Sequence, residues 1–105
     1  MLPSDDVPVR RVVAVEVDGH DFVVWRGTSG ALGSAPRWCP HLDWDLTEGM
    51  VVDDELVCAG HGWSFDCAGH AFKRTELGRI DPKDDVETVQ IAEAGGRIVL
   101  SPRMA

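Results

Sequence analysis

Four tight polar turns punctuate this chain, and they constrain its fold more than any other feature. Asp18-Gly19 separates a valine-rich run over residues 7–17 from Phe22-Val23-Val24-Trp25. Asp53-Asp54 separates Met50-Val51-Val52 from Leu56-Val57-Cys58. Asp66-Cys67-Ala68-Gly69 separates residues 63–65 from 70–72, and Gly95-Gly96 separates residues 87–92 from 97–100. Asp and Gly tolerate the left-handed backbone of a short hairpin turn, and Val, Ile, Phe and Trp favour the pleated strands on either side. No stretch of helical length repeats its apolar residues every 3.6 positions. The pattern predicts an all-β chain of about eight to ten short strands, with Phe22 and Trp25 in the core. Residues 27–36 carry three glycines, two serines and a proline and are expected to form a surface loop. Residues 74–85, polar with Gly78 and Pro82, are expected to be a connection.

A length of 105 residues predicts one domain, residues 1–105, with a small core. The formal net charge of -8 argues against a nucleic-acid or anionic-membrane partner and favours a partner with a basic face. No apolar run approaches the roughly 18 residues of a membrane span, and the first residues carry no hydrophobic signal segment. The expected location is therefore cytoplasmic. Three cysteines, an odd number, argue against a disulfide framework there.

Two of those cysteines fall in a pattern with histidine. Cys39 and His41 form Cys-x-His, residues 42–57 form a sixteen-residue spacer, and Cys58 and His61 form Cys-x-x-His. The 50–58 hairpin lies between the pairs, so its ends can bring them together. Two soft thiolates and two imidazoles suit a tetrahedral zinc ion, or a [2Fe–2S] cluster with both cysteines on one iron and both histidines on the other. Cys-x-His is tight for a single tetrahedral ion. The spacing favours the cluster and leaves zinc open.

At these residues the sequence resembles the Rieske family. Cys39, His41, Cys58 and His61 match its Cys-x-His and Cys-x-x-His signature. The run His61-Gly62-Trp63-Ser64-Phe65-Asp66 is similar to the segment that follows the second loop in Rieske-type ferredoxins and oxygenases. The resemblance implies a Rieske-like antiparallel β-sandwich or barrel with a small cluster-binding subdomain at about residues 37–72. It also implies that Cys39 and Cys58 bind a buried iron and that His41 and His61 bind an outer one. Such a cluster is neutral when oxidised and carries -1 when reduced, so it accepts an electron more readily than a four-thiolate cluster.

Departures from the family pattern are informative. Cytochrome-complex members carry a bridging cysteine in each loop; Trp44 and Gly60 stand at those positions, so no such disulfide forms. The hydroxyl-bearing serine and tyrosine that donate to sulfur in those proteins are replaced by Trp63 and Phe65. Fewer hydrogen bonds to sulfur imply a midpoint near the lower end of the Rieske range, roughly -150 mV.

The resemblance implies a soluble, low-potential, disulfide-free ferredoxin. It would carry single electrons from a flavin-containing NAD(P)H-dependent reductase to a terminal Rieske oxygenase or another redox enzyme, with no catalytic site of its own. A small electron-transfer subunit of a nitrite-reductase-like or oxygenase assembly is the alternative, and a zinc-stabilised binding module the third reading. Seven carboxylates and no lysine or arginine lie between Trp38 and Phe72: Asp43, Asp45, Glu48, Asp53, Asp54, Glu55 and Asp66. They are either solvated turn residues or a docking field for a basic partner. Cys67 reads as a packing residue and His20 and His70 as surface residues. Trp44 and Trp63 are expected to shield or anchor the ligand loops. Gly60 and Gly62 are expected to let the backbone approach sulfide.

Overall fold

The computed structural model describes residues 2–38, 44–58, 63–74, 80–82, 86 and 88–102. Eleven strands are found among them: β1 (Leu2–Pro3), β2 (Val12–Val17), β3 (His20–Arg26), β4 (Leu32–Pro36), β5 (Met50–Val52), β6 (Glu55–Val57), β7 (Trp63–Phe65), β8 (Ala71–Arg74), β9 (Ile80–Pro82), β10 (Val89–Ala94) and β11 (Arg97–Pro102). Two short 3₁₀ turns, Ser4–Asp6 and Leu46–Glu48, are the helical elements among these residues. The fold is all-β and antiparallel, as the turns predict.

The strands form three sheets, ordered β1-β11-β10, β2-β3-β4 and β5-β6-β7-β8-β9. The middle strand of the second sheet explains how they stack. On β3, Val23 and Trp25 point into a core shared with Leu46, Val51, Leu56, Cys58, Phe65 and Ala71. The alternate residues, Phe22 and Val24, point the other way, toward Val89 and Ile98 of the first sheet. A strand buried on both faces cannot alternate polar and apolar residues, which accounts for the unbroken apolar run from Phe22 to Trp25.

The turn residues adopt the backbone that their chemistry allows. Asp18 and Gly19 have φ of 54° and 80°, and Gly95 and Gly96 have 60° and 76°. Both central residues of each turn are thus left-handed, matching the right-handed strand twist. They close the β2–β3 and β10–β11 hairpins at Val17↔His20 and Ala94↔Arg97.

Three expectations from the sequence are corrected. Residues 7–17 are not one strand. Val7 is buried beside Val24 and Ile98, apart from the strand; Arg10 turns the chain with φ 69°, and the strand itself runs from Val12 to Val17. Residues 32–36 of the expected loop are β4, paired with β3 from Phe22↔Pro36 to Arg26↔Leu32. Within the expected connection, β9 pairs with β8, with Pro82 opposite Phe72. Proline is tolerated there because β9 is an edge strand. Among the described residues no helix is long and apolar enough to cross a membrane.

Candidate metal centre

Of the four candidate ligands, Cys58 lies within the described residues; Cys39, His41 and His61 lie outside them, as do Asp43, Gly60 and Gly62. The structure instead shows what holds the ends of the two segments that carry these candidates.

The first segment leaves the base at Arg37 and Trp38 and returns at Asp45. Trp38 and Asp45 pair as an isolated antiparallel bridge. The Leu46 N–H donates to the Arg37 carbonyl at 2.8 Å, and the Arg37 backbone N–H donates to the Asp21 carbonyl at 3.1 Å. Side chains close the same gap. Arg37 Nε and Nη2 donate to the two Asp45 carboxylate oxygens at 3.3 and 3.2 Å. Asp45 Oδ1 also accepts from the Thr47 amide at 3.1 Å and its hydroxyl at 2.8 Å, capping the Leu46–Glu48 turn. The Arg37 guanidinium holds the Asp45 carboxyl below its usual range, with the Thr47 donors adding to the effect. Arg37 also lies over the Trp38 ring, 5.2 Å from its centroid.

The second segment is held by backbone. The Cys58 N–H donates to the Trp63 carbonyl at 2.7 Å, continuing the β6–β7 pairing of Val57 with Ser64. The two ends are neighbours because Gly49, on the way out of the first segment, lies against β6. A Cβ at Gly49 would stand 2.6 Å from the Val57 carbonyl oxygen, so only glycine allows this approach. At the far tip of the β5–β6 hairpin, Asp54 anchors the unit to the β2-β3-β4 sheet. Its carbonyl accepts from Trp25 Nε1 at 3.0 Å, and its carboxylate accepts from the Ser29 amide and hydroxyl.

Cys58 is 2% exposed and shares the core with Leu46, Leu56 and Phe65. A soft sulfur atom shut off from water suits iron–sulfur chemistry. Phe65 is fully buried and brings no hydroxyl to this shell. Trp63 is half-buried and packs against the same core, whereas Trp44 is 42% exposed. Trp44 thus leaves much of its surface in water.

Cys67 plays a different part. Its thiol donates to the Asp54 carbonyl at 3.3 Å, tying the β7–β8 turn to the β5–β6 turn. Burial pushes the thiol up, and the Asp54, Asp66 and Glu55 charges push it further. Iodoacetamide should therefore alkylate Cys67 more slowly than an unhindered cysteine peptide. Its rate should still climb with pH after the peptide thiol has levelled off. Peptide mapping by mass spectrometry reads both rates, and a plateau at or below that of the peptide contradicts the assignment. His20 and His70 are exposed.

The acidic stretch has local duties. Asp45 pairs with Arg37, Asp54 serves Ser29, and Asp66 Oδ1 accepts from the Ala68 and His70 amides in its own turn. Neutral donors leave the charge of a carboxylate in place, whereas Arg37 offsets that of Asp45. Sequence reasoning missed Arg37 and Asp45 as a pair. The signal was present: Asp45 stands three residues before Glu48, a helix-start pattern that marks a fixed chain reversal.

Stacked antiparallel sheets, with two segments whose ends are tied side by side and a buried cysteine at the end of one of them, define a small all-β fold. The chain belongs to the Rieske [2Fe-2S] domain family, whose model matches residues 1–91. It is 35% identical over 88 residues to the 5,5'-dehydrodivanillate O-demethylase oxygenase subunit of Sphingobium sp. (strain NBRC 103272 / SYK-6), covering 78% of this chain. The chain spans about a fifth (21%) of that relative's length. In three dimensions it superimposes on apo dicamba monooxygenase with a TM-score of 0.83 at 19% identity, covering 98% of this chain and 32% of that one. It also superimposes on the ferredoxin of carbazole 1,9a-dioxygenase from Nocardioides aromaticivorans IC177 with a TM-score of 0.73 at 23% identity, covering 96% and 93%. The family's cofactor is a [2Fe–2S] cluster and its role is electron transfer.

Proposed function

We propose that this chain is a low-potential Rieske-type ferredoxin, passing single electrons from a flavin-containing NAD(P)H-dependent reductase to a terminal Rieske oxygenase. Cys39 and Cys58 would hold the inner iron and His41 and His61 the outer one, within one domain of residues 1–105. The observation that carries this reading is the family match over residues 1–91, which contains both ligand pairs at the family's spacing. The bound cluster supplies a reversible one-electron centre. The protein's part is to bury the Cys58 side behind Leu46, Leu56 and Phe65 and to hold the two segments in register through the β5–β6 hairpin. Phe65, without a hydroxyl, supports a potential at the low end of the family range.

The net charge of -8 would draw in a partner with a basic face; Asp45 and Glu48 lie in the stem of the first segment, whereas Asp53, Asp54, Glu55 and Asp66 lie at the far hairpin tips. Stopped-flow reduction by an NADH-dependent flavoprotein reductase tests this. The bimolecular rate should fall as ionic strength rises from about 10 mM to about 500 mM, a span over which the Debye length shrinks several-fold. A rate insensitive to salt rules out steering.

A second reading is supported by the oxygenase-subunit relative: the same domain delivering electrons within a larger oxygenase or nitrite-reductase-like assembly. In both settings the chemistry on substrate takes place elsewhere. Reconstitution separates the two. Turnover by a separately purified oxygenase, dependent on added chain, supports the ferredoxin; delivery only within a stable complex supports the subunit.

A further inference from the structure

We propose that Arg37 and Asp45 are positioning residues for the first ligand segment and that their charge balance sets the reduction potential of the centre it holds. The inference rests on the assignment of Cys39 and His41 as ligands.

The pair stands where the segment is tied. Arg37 precedes Cys39 by two residues, so covalent geometry keeps their Cα atoms within about 7 Å. Arg37 meets Asp45 through two hydrogen bonds, and the same two residues share the stem through the Leu46 amide and the Trp38–Asp45 bridge. Among the described residues Asp45 takes four donors, two from Arg37 and two from Thr47. A carboxylate this fully engaged has one position. The planar fork of Arg37 is fixed in turn by Trp38 beneath it. The second segment has no such charged tie in its stem among the described residues; the Cys58–Trp63 backbone bond closes it.

Charge gives the pair its second role. One-electron reduction takes the neutral cluster to -1. Balanced, Arg37 and Asp45 nearly cancel at a distance. Unbalanced, either one presents a full charge beside the first ligand segment, and a positive charge favours the reduced state while a negative charge opposes it. Both side chains are partly exposed, at 32% and 24%, so solvent and salt damp the effect without removing it. Asp21 adds negative charge on the Arg37 side.

The substitutions Arg37→Gln and Asp45→Asn isolate charge from shape. Asparagine caps a helix start as well as aspartate does, so the Thr47 contacts survive, and glutamine keeps an N–H donor toward residue 45. Dithionite titration of the purified holoprotein at low ionic strength, followed by visible absorption and electron paramagnetic resonance, reads the midpoint. Arg37→Gln should lower it, Asp45→Asn should raise it, and the double variant should return close to wild type. All shifts should shrink at about 0.5 M salt. Arg37→Lys, which keeps the charge and loses the fork, should hold the midpoint while releasing iron faster to a chelator. Shifts of one sign in both single variants, no shift in cluster-loaded variants, or loss of the cluster from both would overturn the tuning role. A wild-type protein without a cluster would instead overturn the ligand assignment, so the two failures are distinct.

Discussion

Cys58→Ser should give a colourless protein. Serine has almost the shape of cysteine, so the packing of β6 against Leu46, Leu56 and Phe65 changes little. What is lost is the soft thiolate, and an alcohol of very high pKa cannot replace it as a ligand to iron. The expected result is loss of essentially all visible absorption, iron and acid-labile sulfide relative to wild type. The cores between β3 and the β1-β11-β10 sheet do not include Cys58, so the far-ultraviolet signature of the base should persist. Cys67→Ser is the internal comparison. Its thiol is spent on the Asp54 carbonyl, and a hydroxyl can donate the same bond, so that variant should keep full colour and iron content. Metal analysis, sulfide assay and visible spectra check both. A brown Cys58→Ser protein, or a colourless Cys67→Ser protein, would reverse the assignment of the two cysteines.

Trp25→Ala should cost about 3–5 kcal/mol, the usual range for emptying a large aromatic site in a core. Trp25 is fully buried and belongs to the core that joins the β2-β3-β4 sheet to the hairpin sheet. Its indole N–H also holds the Asp54 carbonyl at the tip of the β5–β6 hairpin. A domain of this size has about 5–15 kcal/mol of total stability, so the loss is a large share. With an m-value of about 2 kcal/mol/M, the urea midpoint should fall by about 2 M. Trp25→Phe separates packing from the hydrogen bond. It keeps most of the apolar volume, and the Asp54 carbonyl still accepts from Cys67, so a loss of only about 1 kcal/mol from the missing bond is expected. Equal losses in the two variants would mean that the Asp54 anchor, rather than the buried ring, dominates.

The β4 strand shows why part of the fold was hidden. Leu32-Gly33-Ser34-Ala35-Pro36 has the composition of a loop, yet each small residue answers to a distant partner. Gly33 lies beneath Trp25, where a Cβ would fall on the indole ring. Ser34 is buried and its hydroxyl accepts from the Val89 amide at 3.0 Å, linking β4 to the far sheet. Residues that read as flexible from their local identity are small because a larger side chain would collide. The N-terminal region misled in the opposite way. Val7 looks like the start of the strand that resumes at Val12, but it fills a separate place beside Val24 and Ile98. The Arg26 guanidinium fixes it there, Nε donating to the Val7 carbonyl at 2.7 Å while Nη2 pairs with Glu93 at 2.6 Å.

Features that depend on neighbours in the chain were legible from residue order alone. Hairpin turns are decided by two or four residues, so Asp18-Gly19, Asp53-Asp54 and Gly95-Gly96 announced their strands. The ligand spacing is likewise linear, so the family and its cofactor could be inferred before any coordinates. Features that pair residues far apart emerged with the packed fold: the two-sided burial of β3, the strand identity of β4 and β9, the bond between Trp25 and the Asp54 carbonyl, and the Arg37–Asp45 tie at the stem of the first segment. Those choices depend on which surfaces meet once the sheets stack, and the energy of such a meeting belongs to both partners, so neither stretch of sequence carries it alone.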